Sequence, residues 1–276
     1  MKQYCISICL FFLFLGDLPI QAQDYTELAI QGIEALEEGA YEEAEEFFKK
    51  ALQLEPANIK NALLFSNLGS IQRMQRRYDE ALESYTLALN ITPYSIPILM
   101  NRATAYMELG ELRKAYIDYC KVLDLDSEAI EALLMRAYIA VSNRDYGAAR
   151  IDYNRILSLD ETHYNAQLGL ATLAQTEKRY SEATDILNRM IHDHPQDDLL
   201  LLARANVAFD QEQWDVALLD LEEAERINSQ SAEVQALMGE VFLKMEKKHL
   251  AKKAFENAIQ LGYPQVELSD LLKQCK

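Results

Sequence analysis

Apolar side chains recur along the chain with a fixed period, and the most regular of them are alanines. The full series is Ala44, Ala81, Ala115, Ala149, Ala183, Ala217 and Ala251. From Ala81 onward the alanines recur at one constant interval, whereas the interval between Ala44 and Ala81 is slightly longer. A constant period of about 34 residues predicts a repeat protein, in which each period is one small structural unit.

A large apolar or aromatic residue follows each alanine by four positions, and a smaller apolar residue follows it by seven. The first series is Phe48, Tyr85, Tyr119, Tyr153, Leu187, Leu221 and Phe255. The second is Ala51, Ala88, Val122, Ile156, Met190, Ala224 and Ala258. Spacings of three and four place these side chains on one face of a helix. We therefore predict one amphipathic helix beginning shortly before each alanine.

A second apolar stripe precedes each alanine and is built around a small residue twelve positions earlier. These small residues are Gly32, Gly69, Ala103, Ala137, Ala171, Ala205 and Gly239. Between the two stripes, most periods carry an aromatic residue in a polar turn, as at Tyr78, Tyr146, Tyr180 and Trp214. Small side chains let two helices approach closely, so each period predicts a pair of helices whose interface is covered by the ring.

The order of small residue, turn aromatic, alanine, large apolar residue and closing proline resembles the tetratricopeptide repeat. Pro56, Pro93 and Pro195 stand at the closing position, whereas Leu112 and Lys248 replace the turn aromatic. The resemblance implies an all-α fold, a right-handed α-solenoid of seven helix–turn–helix repeats over residues 23–263. The repeats are expected to begin near residues 25, 62, 96, 130, 164, 198 and 232.

The two ends of the predicted solenoid differ from its middle. Residues 264–276 are expected to form a short capping helix that packs against the last repeat through Val266, Leu268, Leu271 and Leu272. In the first repeat, an acidic cluster is expected to be a solvated helical face. Its members are Glu37, Glu38, Glu42, Glu43, Glu45 and Glu46.

The first 22 residues have the pattern of a secretory signal peptide. Lys2 is followed by an uncharged apolar run over residues 4–15, and Ala22 is the preferred cleavage site. Twelve residues rise only about 18 Å as a helix, against a hydrocarbon core of about 30 Å, so a membrane span is not expected. We therefore expect export to a periplasm or cell envelope, with no integral membrane span in the mature chain.

The charge of the chain indicates which classes of partner it can bind, and its cysteines indicate whether a disulfide is expected. The chain has 44 acidic and 27 basic residues, a net charge of −17, which disfavours nucleic acid and favours a neutral or basic polypeptide. The alternative interpretation is that the negative charge only keeps a long repeat surface soluble. Cys120 and Cys275 lie in distant parts of a solenoid, and we expect no disulfide between them.

No motif for catalysis or for a cofactor is present in the sequence. A glycine-rich phosphate loop, a nucleophile elbow and a paired cysteine motif are all lacking. His192 and His194 alternate in one turn, but a metal site needs a third or fourth ligand. We therefore expect no enzyme, no cofactor and no metal, and keep a metal-binding turn at these histidines as an alternative.

The resemblance also implies a binding surface, because tetratricopeptide proteins generally hold peptides or partner helices on the concave face lined by the first helix of each repeat. The candidate partner-binding residues on that face are Asn67, Ser70, Met100, Asn101, Thr104, Met135, Tyr138 and Asn206. Asn67 and Asn101 occupy the same place in adjacent repeats, where a carboxamide can bond a peptide backbone. Alternatively, they bond between neighbouring helices.

One subgroup of the family, the chaperone adaptors, grips a terminal carboxylate with Lys, Asn and Arg residues on this face. Pro97, Glu131 and Met135 stand at the matching places for the cations, so that site is not expected here. The sequence predicts an exported, non-catalytic scaffold that binds a protein or peptide, of unknown oligomeric state. The alternative is a cytoplasmic co-chaperone or adaptor that retains the N-terminal segment.

Overall fold

The computed structural model describes residues 24–275, and the predicted signal peptide therefore lies outside the described residues. The described part is all-α, with fifteen helices and no strand. Two compact units divide the chain, Met1–Gly110 and Glu111–Lys276. No helix among residues 24–275 is both long enough and apolar enough to cross a bilayer.

The first unit contains five helices, and adjacent ones pair. Its helices are α1 (Tyr25–Glu37), α2 (Tyr41–Leu54), α3 (Asn61–Met74), α4 (Tyr78–Ile91) and α5 (Ile96–Glu108). Helix α1 packs against α2, α3 against α4, and α4 against α5. The predicted pairing of helices is thus confirmed in this unit.

The second unit contains ten helices arranged in the same way. They are α6 (Leu112–Leu125), α7 (Ile130–Ser142), α8 (Tyr146–Leu159), α9 (Tyr164–Thr176), α10 (Tyr180–Asp193), α11 (Asp198–Asp210), α12 (Trp214–Ile227), α13 (Ala232–Lys244), α14 (Lys248–Gln260) and α15 (Gln265–Gln274). The hairpins α7–α8, α9–α10, α11–α12 and α13–α14 each pack against the next helix along the chain.

The turns inside the hairpins are closed by a residue in the left-handed region just after the first helix. In the α7–α8 turn this residue is Arg144, with φ of 59°, and the amide of Asp145 donates back to the carbonyl of Ala140 at 2.8 Å. Such a bond satisfies a carbonyl that the helix end leaves free. The same conformation recurs at Gly39, Arg76, Gly110, Lys178, Glu212 and Glu246.

The alanine register forms the core of the hairpins, as predicted. All seven alanines are 0% exposed, and the large residues four positions later are all buried. The small residues of the first helices explain the close approach. A Cβ atom on Gly239 would lie 2.4 Å from Cδ1 of Phe255, and one on Gly69 would lie 2.7 Å from Cε1 of Tyr85. These contacts leave no room for a larger side chain.

Helix α15 packs against the last hairpin, but not through all the predicted residues. Leu268 is buried in one cluster with Ala251 and Phe255, and Leu271 and Leu272 pack against that cluster. The prediction for Val266 is wrong, because its side chain is 82% exposed. Only one side of this ten-residue helix faces the hairpin, and Val266 lies in its first turn outside that side.

The acidic cluster of the first hairpin is also not wholly solvated. Glu45 is buried, and its carboxylate accepts hydrogen bonds from Arg77 and from Lys49. Burial alone would raise the pKa of Glu45, but the bonds from Arg77 and Lys49 outweigh it and the pKa is lowered. The prediction of a solvated face is therefore wrong for Glu45, which joins α2 to the turn before α4.

Candidate partner-binding surface

The first helices of successive hairpins lie side by side within each unit, and we call the surface they form the inner face. In the first unit α3 contacts α5, and in the second α7 contacts α9 and α11 contacts α13. All eight predicted partner-binding residues lie on first helices. They fall in register, since positions 67, 101 and 135 are equally spaced along the chain, as are positions 70, 104 and 138. Within a unit, this register places residues at the same height on neighbouring helices.

In the first unit, the hydroxyl groups of the predicted binding residues Ser70 and Thr104 already form hydrogen bonds within the chain. Ser70 Oγ donates to the carbonyl of Ser66 at 3.0 Å and lies 3.1 Å from the hydroxyl of Tyr85. Thr104 Oγ1 donates to the carbonyl of Met100 at 3.0 Å. These bonds hold the hydroxyls along their own helices, so they contribute little free hydrogen-bonding capacity to the inner face.

The carboxamides of Asn67 and Asn101 differ from those hydroxyls. Both side chains are half-buried on α3 and α5. Within residues 24–275 neither carboxamide has a hydrogen bond to the chain, so the structure does not give them the helix-bridging role that was the alternative. Each retains the two donors and the acceptor of a free carboxamide.

An ion pair links the inner face of the first unit near the ends of its helices. Arg73 of α3 donates to Glu108 of α5 at 2.6 Å. Burial lowers the pKa of the Arg73 guanidinium, but the charge of Glu108 raises it, and the net pKa is raised. The cation is thus neutralised within the unit, and sequence reasoning did not identify this pair.

In the second unit, Met135 and Tyr138 line a groove between α7 and α9. Its volume is about 370 Å³. Apolar side chains form most of the wall, Tyr153 lies beneath, and Tyr138 is 55% exposed at the rim. The lining residues are Leu134, Met135, Tyr138, Val141, Tyr153, Asn165, Leu168, Gly169, Thr172, Leu173 and Thr176. None of these side chains is charged, so the groove suits an apolar or neutral group.

A larger depression, of about 730 Å³, lies along α10 but is less suited to binding. Arg179 in its lining is paired with Glu182 at 2.9 Å. The depression is built mainly from one helix and its preceding turn, which gives it little depth. We therefore take the smaller groove between α7 and α9 as the better candidate.

Asn206, the remaining predicted residue, lies on α11 and does not line that groove. Its Nδ2 atom donates to the carbonyl of Leu202 at 2.9 Å. Nearby, Phe209 packs edge-on against Trp214 with ring centroids 5.0 Å apart. This contact confirms, for Trp214, the predicted role of the turn aromatic in covering the interface of a helix pair.

Two buried ion pairs behind the inner face were missed by sequence reasoning. Arg136 donates to Asp152 from Nε at 2.8 Å and from one terminal nitrogen at 2.7 Å. Arg204 forms the same bidentate pair with Asp220 at 2.8 and 2.6 Å. Each pair joins the two helices of one hairpin. The pKa of Arg136 is raised mainly by its hydrogen bonds to Asp152. A signal was available, since arginine and aspartate have the same separation in sequence in both hairpins.

The histidine turn at the end of α10 packs against the start of α9. The ring of His194 lies edge-on to Tyr164, with centroids 5.7 Å apart, and the Tyr164 hydroxyl donates to Asp197 at 2.8 Å. Within the described part of the chain, no group of three or more His, Cys, Asp or Glu side chains is arranged to hold a metal ion. Cys120 and Cys275 are both free thiols and half-buried.

Comparison with known proteins places these helix pairs in a family. A family described as tetratricopeptide repeat-like domain matches residues 158–275. Models described as tetratricopeptide repeat match residues 64–93, and residues 31–58, 96–128 and 130–163. A crystal structure of a tetratricopeptide repeat protein from Parabacteroides merdae has 35% sequence identity and a TM-score of 0.74, covering 91% of this chain and 98% of that one.

Curated relatives are similar over shorter stretches. The human DnaJ homolog subfamily C member 7 is 37% identical over 92 residues, which are 33% of this chain and 19% of that protein. The human mitochondrial import receptor subunit TOM34 is 31% identical over 105 residues, 36% of this chain and 34% of that protein. This chain therefore matches only between a fifth and about a third of the length of these relatives.

Tetratricopeptide repeats are typical of non-catalytic scaffolds that bind other proteins. The described hairpins have the buried alanines and the small close-contact residues on which that repeat pattern rests, and in one hairpin Trp214 covers the helix interface. The family matches together extend from residue 31 to residue 275, and the similar Parabacteroides protein is covered almost completely. The chain belongs to the tetratricopeptide repeat family.

Proposed function

We propose that this chain is an exported, non-catalytic scaffold that binds a peptide or partner protein through the inner face of its repeats. The observation that carries the proposal is the uncharged groove between α7 and α9, which contains the predicted residues Met135 and Tyr138. Methionine adapts to partners of varied shape, and tyrosine offers a large apolar ring with a hydroxyl at its tip.

In the first unit, Asn67 and Asn101 support the same proposal. Their carboxamides are half-buried and make no hydrogen bond within the described residues. An extended peptide carries an unpaired donor and acceptor at every residue, and a carboxamide can pair with both at once. Each unit thus offers its own contribution to the proposed binding surface, polar in the first and apolar in the second.

Export is the part of the proposal that rests on sequence alone. Lys2, the apolar run over residues 4–15 and Ala22 fit the pattern of a secretory signal peptide. Intact-mass measurement of the chain purified from its native host tests this directly. A mature chain that begins at or near Gln23 supports export, and a chain that retains residues 1–22 refutes it.

The similarity to a DnaJ homolog and to a mitochondrial import receptor subunit favours a second candidate function. In that interpretation the chain is a cytoplasmic co-chaperone or adaptor that keeps its N-terminal segment. The mass measurement distinguishes this interpretation from export.

A metal-binding turn at His192 and His194 is a further alternative, and metal analysis of protein purified without an affinity tag tests it.

The proposed binding surface is tested with Asn101→Ala combined with Tyr138→Ala. Both side chains are at least partly exposed, so the substitutions do not open the core. Ile151→Ala is the matched control, because Ile151 is 69% exposed on the second helix α8. In crosslinking pull-downs from envelope extract, the double variant should lose partners that the wild type and Ile151→Ala both recover. Equal recovery by all three proteins would show that the inner face is not the binding surface.

A further inference from the structure

The floor of the groove between α7 and α9 depends on one glycine. A Cβ atom at Gly169 would lie 2.5 Å from Cζ of Tyr153, closer than non-bonded carbon atoms approach. The buried Tyr153 ring therefore occupies the space that a side chain at position 169 would need, and the ring and Gly169 together line the floor of the groove. Gly169 holds the repeat position that Asn67, Asn101 and Met135 hold in earlier repeats. Those repeats carry a side chain at this position, whereas here none projects from Gly169 into the groove, and we call the part of the groove above Gly169 and Tyr153 the recess.

The walls of the recess decide what kind of group fits. Leu134, Met135, Val141 and Leu168 are apolar, and no charged side chain lines the groove. An ionised group buried there would lose its hydration without a charged partner, which is costly. A large apolar side chain would instead bury its surface against these residues and stack on the Tyr153 ring.

The rim has polar groups suited to a peptide backbone. Asn165 is exposed at the rim, and within residues 24–275 its carboxamide has no hydrogen bond to the chain. Thr172 and Thr176 also line the groove, but their hydroxyls donate to the carbonyls of Leu168 at 3.0 Å and Thr172 at 2.9 Å. An apolar side chain inserted in the recess would bring its own peptide groups next to Asn165.

Carboxylates stand beyond both ends of the recess. Glu131 is exposed in the first turn of α7, in register with the rim residue Asn165. At the opposite end, Gln175 of α9 donates to Asp210 of α11 at 2.7 Å, which holds that carboxylate at the last turn of α9. A segment that leaves the recess toward Glu131 or toward Asp210 therefore meets negative charge. Lysine or arginine on both sides of the apolar residue complements this arrangement.

We propose that the recess at Gly169 receives one large apolar side chain from an extended segment of a partner protein, with lysine or arginine on either side of that residue. This proposal rests on the proposed function and makes it more specific, because it names the chemistry of the bound segment. Gly169 sets the specificity because no side chain projects from it into the groove, and Glu131 and Asp210 select the flanking charge. The net charge of the chain, −17, favours the same partner at longer range.

Fluorescence anisotropy with labelled synthetic peptides of about nine residues tests the proposal, since a segment of that length can bind extended across neighbouring helices. One peptide set has a central leucine, phenylalanine or tryptophan, lysine near both ends and serine or glycine elsewhere. A second set has serine at the centre, and a third has glutamate in place of lysine. The first set should bind most tightly, and each control set should bind about tenfold more weakly or worse. Absence of binding by the first set, or equal binding by all three, would overturn the proposal.

Variants of the full chain locate the binding site. Gly169→Leu places a side chain against the Tyr153 ring and into the groove, and it should weaken binding of the first peptide set about tenfold or more. Gly147→Leu is the matched control, because a Cβ there would meet only Asp145 Oδ1, at 3.8 Å, and it should leave binding unchanged. Circular dichroism checks that both variants are folded. Tyr138→Ser provides a second test that spares the core, since it removes a half-exposed wall of the groove.

The results of these experiments distinguish binding at the recess from binding elsewhere on the inner face. If Asn101→Ala with Tyr138→Ala loses its partners while folded Gly169→Leu binds the peptides as the wild type does, the inner face binds but the recess is not the anchor. If neither protein loses binding, both proposals fail. If peptide binding does not weaken as the salt concentration rises, the assignment of flanking charge to Glu131 and Asp210 is wrong.

Discussion

The buried pair of Arg136 and Asp152 allows a sharp test of how the hairpins are held together. The carboxylate of Asp152 is 4% exposed and accepts two hydrogen bonds from the guanidinium of Arg136, which is 25% exposed. The next hairpin has Leu170 and Ile186 in the same register. The substitutions Arg136→Leu and Asp152→Ile therefore copy a pair that the protein already uses one repeat later.

The change in the free energy of unfolding depends on which charged side chain remains buried after each substitution. Arg136→Leu leaves a buried carboxylate without its partner, which should lower the free energy of unfolding by about 3 kcal/mol. Asp152→Ile should cost less, about 1 to 2 kcal/mol, because the guanidinium is partly exposed and still lies 3.7 Å from Cys120 Sγ. The double variant should be within about 1 kcal/mol of the wild type, since no charge remains buried. The coupling between the two sites is then about 4 kcal/mol.

Urea unfolding of the four proteins, followed by circular dichroism, measures this cycle. The slope of free energy against urea concentration must be the same in all four for the comparison to hold. If Arg136→Leu is as stable as the wild type, the carboxylate is not effectively buried. If the double variant loses the sum of the two single effects, the pair does not act as a unit.

Two further predictions concern the core and the pH dependence of stability. Ala149→Leu should lower the free energy of unfolding by about 1 to 3 kcal/mol through overpacking, while Ile151→Leu at an exposed site of the same helix should leave it unchanged in the same urea assay. Burial and the bond to Asp197 raise the pKa of Tyr164 to about 12, above the ordinary value of 10. The folded state therefore favours the neutral phenol, and this contribution to stability is complete below pH 10 and is lost as the pH rises through 12. The stability difference between the wild type and Tyr164→Phe should shrink across that window, and a constant difference would refute the assignment.

Periodicity made the hairpin core predictable from sequence. The alanines, the large residues after them and the small residues before them recur at fixed offsets, and a helix turns a fixed offset into a fixed face. For this reason the alanine register and the close approach at Gly69 and Gly239 are present in the structure as expected. Val266 was mispredicted because α15 follows the last repeat and has no second copy to define its buried face.

Features that depend on pairs of residues were harder to predict. In the sequence, Glu45 is one of several acidic residues on a polar helical face. Its hydrogen bond comes from Arg77, which is distant along the chain. Arg136 and Asp152 recur as Arg204 and Asp220 at the same spacing, so comparing polar residues between repeats would have found them. The recess at Gly169 was not predictable from the sequence, because a glycine at this repeat position does not reveal which ring lies beneath it.

Site-specific photo-crosslinking tests most directly whether the inner face is the binding surface. Benzoylphenylalanine is placed at Tyr138 on α7 or at Ile151 on α8, both exposed positions, and the protein is irradiated in envelope extract. The account predicts that position 138 forms crosslinked adducts with a partner protein and that position 151 does not. Adducts that form at position 151 and not at position 138 would contradict it.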